Sequence, residues 1–173
     1  MYKQKCTIVY FGAVLLFLLA ASIHAQVAIP ITISSPEFSC TTSAGSQTIA
    51  VTSWSWAAQN SASPESISPA PPSVTAGPLR ISKGADACSP VLLRLVLTAR
   101  KLGTVTLVDN QAKQIVALSG VFINVDESSD SEGGKPKESL SFNFTKIEIT
   151  YTQLNQQVCW DNVTKTSQCS GGA

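Results

Sequence analysis

Histidine occurs once in these 173 residues, as His24 in an apolar leader. Beyond the leader no Ser-His or Cys-His pair can form and no imidazole can ligate zinc. Of the five cysteines, Cys6 lies in the leader and Cys40, Cys88, Cys159 and Cys169 follow it. No Cys-x-x-Cys spacing occurs among them, so neither a dithiol redox site nor a zinc knuckle is supported. Four cysteines in an exported chain instead read as disulfides, with three possible pairings. Cys159 and Cys169 flank a short polar segment, Trp160–Gln168, that has little apolar content to hold it in place. Proximity favours bridging that pair, which leaves Cys40 to meet Cys88. The carboxylates are scattered. Asp126, Ser128, Asp130 and Glu132 alternate like part of a calcium loop, but Gly133-Gly134 falls too late for one and no closing glutamate matches, so the segment reads as solvated. No phosphate-binding loop, dinucleotide fingerprint or nucleophile elbow is present. The residues assign no catalytic group, cofactor or metal, and the chain reads as a binding or assembly protein, not an enzyme.

The leader itself has three parts. Met1–Lys5 is basic, Cys6–Ser22 is rich in Leu, Val and Phe, and Ala25 precedes Gln26 as a small residue at a cleavage point. This is the pattern of a secretory signal peptide over residues 1–25, which places the product in the periplasm or outside the cell. The apolar block is short for a membrane span and no basic flank follows it, so no membrane association is expected after cleavage. Cleavage leaves 148 residues, a single-domain length, with 10 basic against 11 acidic side chains. A near-neutral chain without a basic cluster is a poor nucleic-acid ligand.

The elements show a repeated irregularity. Leu140, Phe142 and Phe144 alternate with polar residues, then Ile147, Ile149 and Tyr151 continue one step out of phase. A strand that buries one face before a bend and the other after it produces this slip. Ile49 and Val51 against Trp54 and Trp56 slip in the same way, as do Val116 and Leu118 against Val121, Ile123 and Val125 across Gly120. The paired tryptophans fit packing at a corner, with their indole N–H groups bonded, better than a ligand platform. Strands that pass between sheets belong to barrels and orthogonal sandwiches. Ser89 and Pro90 look like the cap and first residue of the one helix, expected over Val91–Leu102 with Arg100-Lys101 in its last turn and Gly103 as terminator. That helix is apolar nearly all round and needs a broad partner surface. A Pro/Ser-rich loop is expected at 61–78 and a polar loop at 126–137. The fold class is therefore mainly β: residues 26–173 form one compact β-barrel or sandwich with bent strands and a flanking helix.

Three blocks carry a family resemblance. Ile49–Trp56, with Ser53, Trp54 and Trp56, resembles the I-x-V-x-S-W-S-W segment of the Hcp tube proteins of type VI secretion systems. Lys83–Pro90, with Lys83, Asp86, Ser89 and Pro90, resembles that family's K-x-x-D-K-A-S-P block, and Glu138–Thr152, with Ile147, Glu148 and Tyr151, its last long strand. The resemblance implies a non-enzymatic structural protein without cofactor. Its partners would be further copies of itself in hexameric rings that stack into a tube, together with secretion-machine components or cargo. The alternative is a monomeric exported binding module on the same scaffold. Against the family pattern, this chain has a leader, Ala87 in place of lysine, and Cys88 in place of alanine.

Overall fold

Gly120 and Thr145 face each other across the bend that shapes the molecule. Gly120 takes a left-handed backbone conformation, with φ of +61°. Thr145 bonds the Ser119 carbonyl twice, by its amide at 3.0 Å and its hydroxyl at 2.9 Å. A side chain on Gly120 would strike the Thr145 hydroxyl, so glycine is required there. The structure, a computed structural model, describes residues 31–60, 74–129 and 136–167. The expected leader, Ile29 and Cys169 lie outside the described residues.

In chain order the strands before the helix are β1 (Ile31–Ser34), β2 (Thr41–Thr42), β3 (Gly45–Ser46), β4 (Thr48–Ala50), β5 (Ser53–Ser55), β6 (Ala58–Asn60), β7 (Val74–Ala76) and β8 (Leu79–Gly84). Helix α1 (Ser89–Leu97) follows, then β9 (Leu102–Asp109), β10 (Gln114–Ser129), β11 (Lys137–Asn143), β12 (Lys146–Tyr151) and β13 (Gln156–Asp161). Strand β10 pairs antiparallel with β12 through Ser119↔Lys146 and with β11 through Phe122↔Asn143. Those two pairs share one register, so β11 and β12 act as a single long strand that bends together with β10. Beyond the bend the supports diverge: β9 flanks the first half of β10, β13 pairs with β12, and β8 pairs with β11.

The main path runs β4-β1-β9-β10-β11-β8-β5, with β12 and β13 off it. Its two ends, β4 and β5, are consecutive in the chain and meet at Val51–Thr52. There the Val51 amide reaches the Ile31 carbonyl at 3.0 Å and the Thr52 amide reaches the Ser82 carbonyl at 2.8 Å. The sheet is not closed into a barrel; its two halves face each other as a sandwich. Between them sit Ile33, Phe38, Ile49, Leu79, Leu107, Leu118, Leu140 and Phe142, all without appreciable exposure. Each such aliphatic or aromatic side chain stabilises the fold by roughly 1.5–3 kcal/mol relative to exposure.

Strand enters both ranges expected as loops, of which residues 61–73 and 130–135 lie outside the described residues. Strand β7 begins within 61–78 and pairs with β6, and β10 continues to Ser129 within 126–137. The helix also differs. It starts after Cys88, which takes the cap position expected for Ser89, and it stops five residues before Leu102. Ala99 sits at φ +46°, the Ala99 amide bonds the Val96 carbonyl and the Arg100 amide bonds the Leu95 carbonyl. That is a Schellman ending with alanine where glycine is usual. Arg100-Lys101 therefore follow the helix, and Gly103 lies in β9. Leu102 is drawn into β9 by burial opposite Val121, a tertiary gain that outweighs helix propensity.

Candidate functional site

Strand β8 buries Leu79, Ile81 and Lys83 in alternation. A lysine in phase with core positions must carry its counter-ions with it. Register supplies one, since Leu79 faces Phe142, Ile81 faces Leu140 and Lys83 faces Glu138 across β11. The Lys83 ammonium lies 2.7 Å from Glu138 Oε2, 3.2 Å from Asp86 Oδ1 and 3.0 Å from Ser89 Oγ. Two of the ammonium protons thus have hydrogen-bond acceptors, and Asp86 adds an ion pair. Ser89 Oγ donates to Glu138 Oε2 at 2.8 Å and accepts the Asp86 amide at 3.0 Å, while Asp86 Oδ1 accepts the Cys88 amide at 2.8 Å. The network closes on itself and fixes the first turn of α1 onto β8 and β11. It brings together three of the residues singled out in the sequence, Lys83, Asp86 and Ser89. It also adds Glu138, whose signal was its phase with Leu140 and Phe142.

The tryptophans sit at the β4–β5 corner and beyond it. Trp54 Nε1–H donates to Asp109 Oδ2 at 2.9 Å, and Trp56 Nε1–H donates to the Gly77 carbonyl at 3.1 Å. Both rings pack against the core, so the indoles are committed to structure. Asp109, missed in the sequence, ends β9. Burial pushes its carboxyl up, but hydrogen bonds from Trp54 and from the Ala112 and Gln111 amides outweigh this and leave it below its ordinary value. Glu37 is also held low, by the Ser35 hydroxyl and then the Gly103 amide.

The remaining singled-out residues stand apart from the Lys83 network. Ser53 is exposed on β5 and Pro90 is exposed in the first turn of α1. On β12, Ile147 is buried, Tyr151 packs against the core and Glu148 accepts from Gln157 Nε2 at 2.6 Å. Cys40 and Cys88 form a disulfide with Cα atoms 5.3 Å apart. Cys159 is buried on β13; its expected partner Cys169 is outside the described residues. Among the described residues, no group of three or more His, Cys, Asp or Glu is placed to hold a metal ion. Nor is any described helix long and apolar enough to cross a membrane.

The family model described as "Type VI secretion system effector, Hcp" matches residues 39–151. The chain belongs to the Hcp family. The match takes in the Trp54 corner, the Lys83 network and the bent β10–β12 system. Hcp-like folds are also found among solved structures. One, titled as a type six secretion system protein, is 19% identical with a TM-score of 0.67, covering 80% of this chain and 98% of that one. Hcp1 from Salmonella typhimurium is 16% identical with a TM-score of 0.63, covering 80% and 97%. A type VI secretion system effector from Yersinia pestis is 19% identical with a TM-score of 0.61, covering 76% and 98%. No curated protein matches the chain by sequence. In this Hcp-family chain the three blocks singled out in the sequence are fold determinants: a corner, a helix anchor and a bent strand.

Proposed function

We propose that this Hcp-family protein is a non-enzymatic structural subunit that is exported through a signal peptide and assembles into hexameric rings able to stack as a tube. The observation that carries the reading is the wholeness of the fold, since the structural match spans 97–98% of the chains of its Hcp relatives. Helix α1 supports self-association: it buries Leu92 and Leu95, while Leu93 is 47% exposed and Leu97 is 77% exposed. A closed ring would remove these side chains from water without leaving an open end. Machine components and cargo would be the further partners, and the product would be periplasmic or secreted. Cys159 and Cys169 would close the tail as a second bridge.

Light scattering on the exported protein tests assembly. Six protomers at micromolar concentration support the ring, whereas a protomer at that concentration transfers the reading to a monomeric binding module. Intact mass of the same sample tests the leader, and a chain that retains Met1–Ala25 removes the export step.

A further inference from the structure

Residues 39–47, which carry the β2–β3 hairpin, bond mainly to themselves and their own chain neighbours. The Gln47 amide reaches the Cys40 carbonyl at 2.8 Å, the Thr42 hydroxyl reaches the Thr48 carbonyl at 2.6 Å, and Gln47 Nε2 reaches the Pro36 carbonyl at 2.9 Å. Opposite them lies the approach to α1, residues 84–88. A cavity of about 420 Å³ separates the two, with Thr41, Thr42 and Ser43 on one wall and Ala85, Asp86 and Ala87 on the other. Among the described residues no hydrogen bond or ion pair crosses from 39–47 to 84–88. The Cys40–Cys88 disulfide is the tie that does.

The approach to α1 does not need that tie, because the Lys83, Asp86, Ser89 and Glu138 network holds it independently. Among the described residues the hairpin's other anchors are its own flanks: Ser35 and Pro36 bond Gln47, Phe38 is fully buried, and Thr42 bonds β4. We propose that Cys40–Cys88 is a redox latch: oxidised, it fixes the hairpin against the start of α1; reduced, it releases the hairpin while the sandwich stays folded. Closure needs a protein disulfide of an exported thiol oxidase. The thiolate of Cys40, the more exposed cysteine, attacks that disulfide and expels one oxidant thiol. The Cys88 thiolate then attacks Cys40 Sγ of the mixed disulfide and expels the second. Two protons and two electrons pass to the oxidant, which leaves as a dithiol. The place of closure rests on the proposed export; the latch itself does not.

Hydrogen exchange on the full exported protein, with and without dithiothreitol, tests the latch. Amides of residues 41–47 should exchange at least tenfold faster after reduction, while those of residues 138–151 stay within twofold. The double variant C40A/C88A should exchange at the fast rate with or without reductant, which separates this bond from the other cysteines. Unchanged exchange in 41–47 overturns the latch, and so does loss of protection in 138–151, which would make the bond a global staple. If the double variant does not fold, the reductant comparison on C159A/C169A, which keeps Cys40–Cys88, decides. Light scattering that finds only a protomer removes the ring and leaves this result standing.

Discussion

The ammonium of Lys83 lies 2.7 Å from Oε2 of Glu138, its direct partner across β8 and β11. Both side chains take positions that continue the inner-face series of Leu79, Ile81, Leu140 and Phe142. The Lys83 side chain has no exposed surface and that of Glu138 retains 15%. A pair so placed is costly to break by halves, because the survivor keeps its burial and loses its compensation.

Lys83→Met or Glu138→Leu alone should therefore lower unfolding free energy by about 3–5 kcal/mol. The double variant should recover a large part of that loss, since two apolar groups fit a core-phased position. Asp86, at 3.2 Å from the ammonium, keeps Glu138→Leu the milder single change. Urea denaturation of the four proteins gives the coupling directly, and additive losses would count against this reading.

Asp109 should make stability acid-sensitive. Its carboxyl titrates below its ordinary value in the fold, so its contribution is present above the unfolded value of about 3.9 and fades as pH falls through the folded value. Trp54→Phe removes one donor and should move the acid limb to higher pH. In Asp109→Asn, the amide oxygen can still accept the Gln111 and Ala112 amides, but its NH2 then faces the Trp54 indole N–H. That donor–donor contact should cost about 1–3 kcal/mol at pH 7 and flatten the acid limb. Glu37, held low in the same direction, keeps the limb from vanishing. Urea midpoints between pH 7 and 2.5 decide the sign.

Ala99 offers a stabilising change. It holds φ +46° at the end of α1, where an L side chain is disfavoured by roughly 1–2 kcal/mol. Ala99→Gly should relieve most of that strain, partly offset by greater freedom in the unfolded chain, for a net gain of up to about 1 kcal/mol. A higher melting temperature with unchanged circular dichroism is the expected result; a lower one would show that the residue is not strained.

Much of the sandwich was legible because its strands alternate cleanly and slip phase where they bend, at Gly120, at Thr145 and between Val51 and Trp54. The bonded indoles were also foreseeable, since half-buried tryptophans at a corner need acceptors. What spacing could not convey was pairing between strands. Glu138 meets Lys83 across 55 positions, and the phase of each with its own buried neighbours, Leu79 and Ile81 or Leu140 and Phe142, hinted at burial but not at the pairing. The helix end was misread for a related reason. Leu102 suits a helical stripe as well as a buried strand, and an alanine in the left-handed position leaves no mark in the sequence.

Folding and assembly can be separated on one helix. Leu92 and Leu95 of α1 are buried, whereas Leu93 is 47% exposed and Leu97 is 77% exposed. Leu95→Glu places a carboxylate in the core and should abolish folding, so it reports nothing on assembly. Leu93→Glu and Leu97→Glu add charge to a face that the isolated protomer already presents to water. Each should change unfolding free energy by less than about 0.5 kcal/mol. If the ring buries this face, the double variant L93E/L97E should run as a folded protomer under conditions where the wild type runs as six. Light scattering, with circular dichroism confirming the fold, reads both effects. A double variant that assembles like the wild type would place the contact elsewhere on the surface and leave α1 a helix of the core alone.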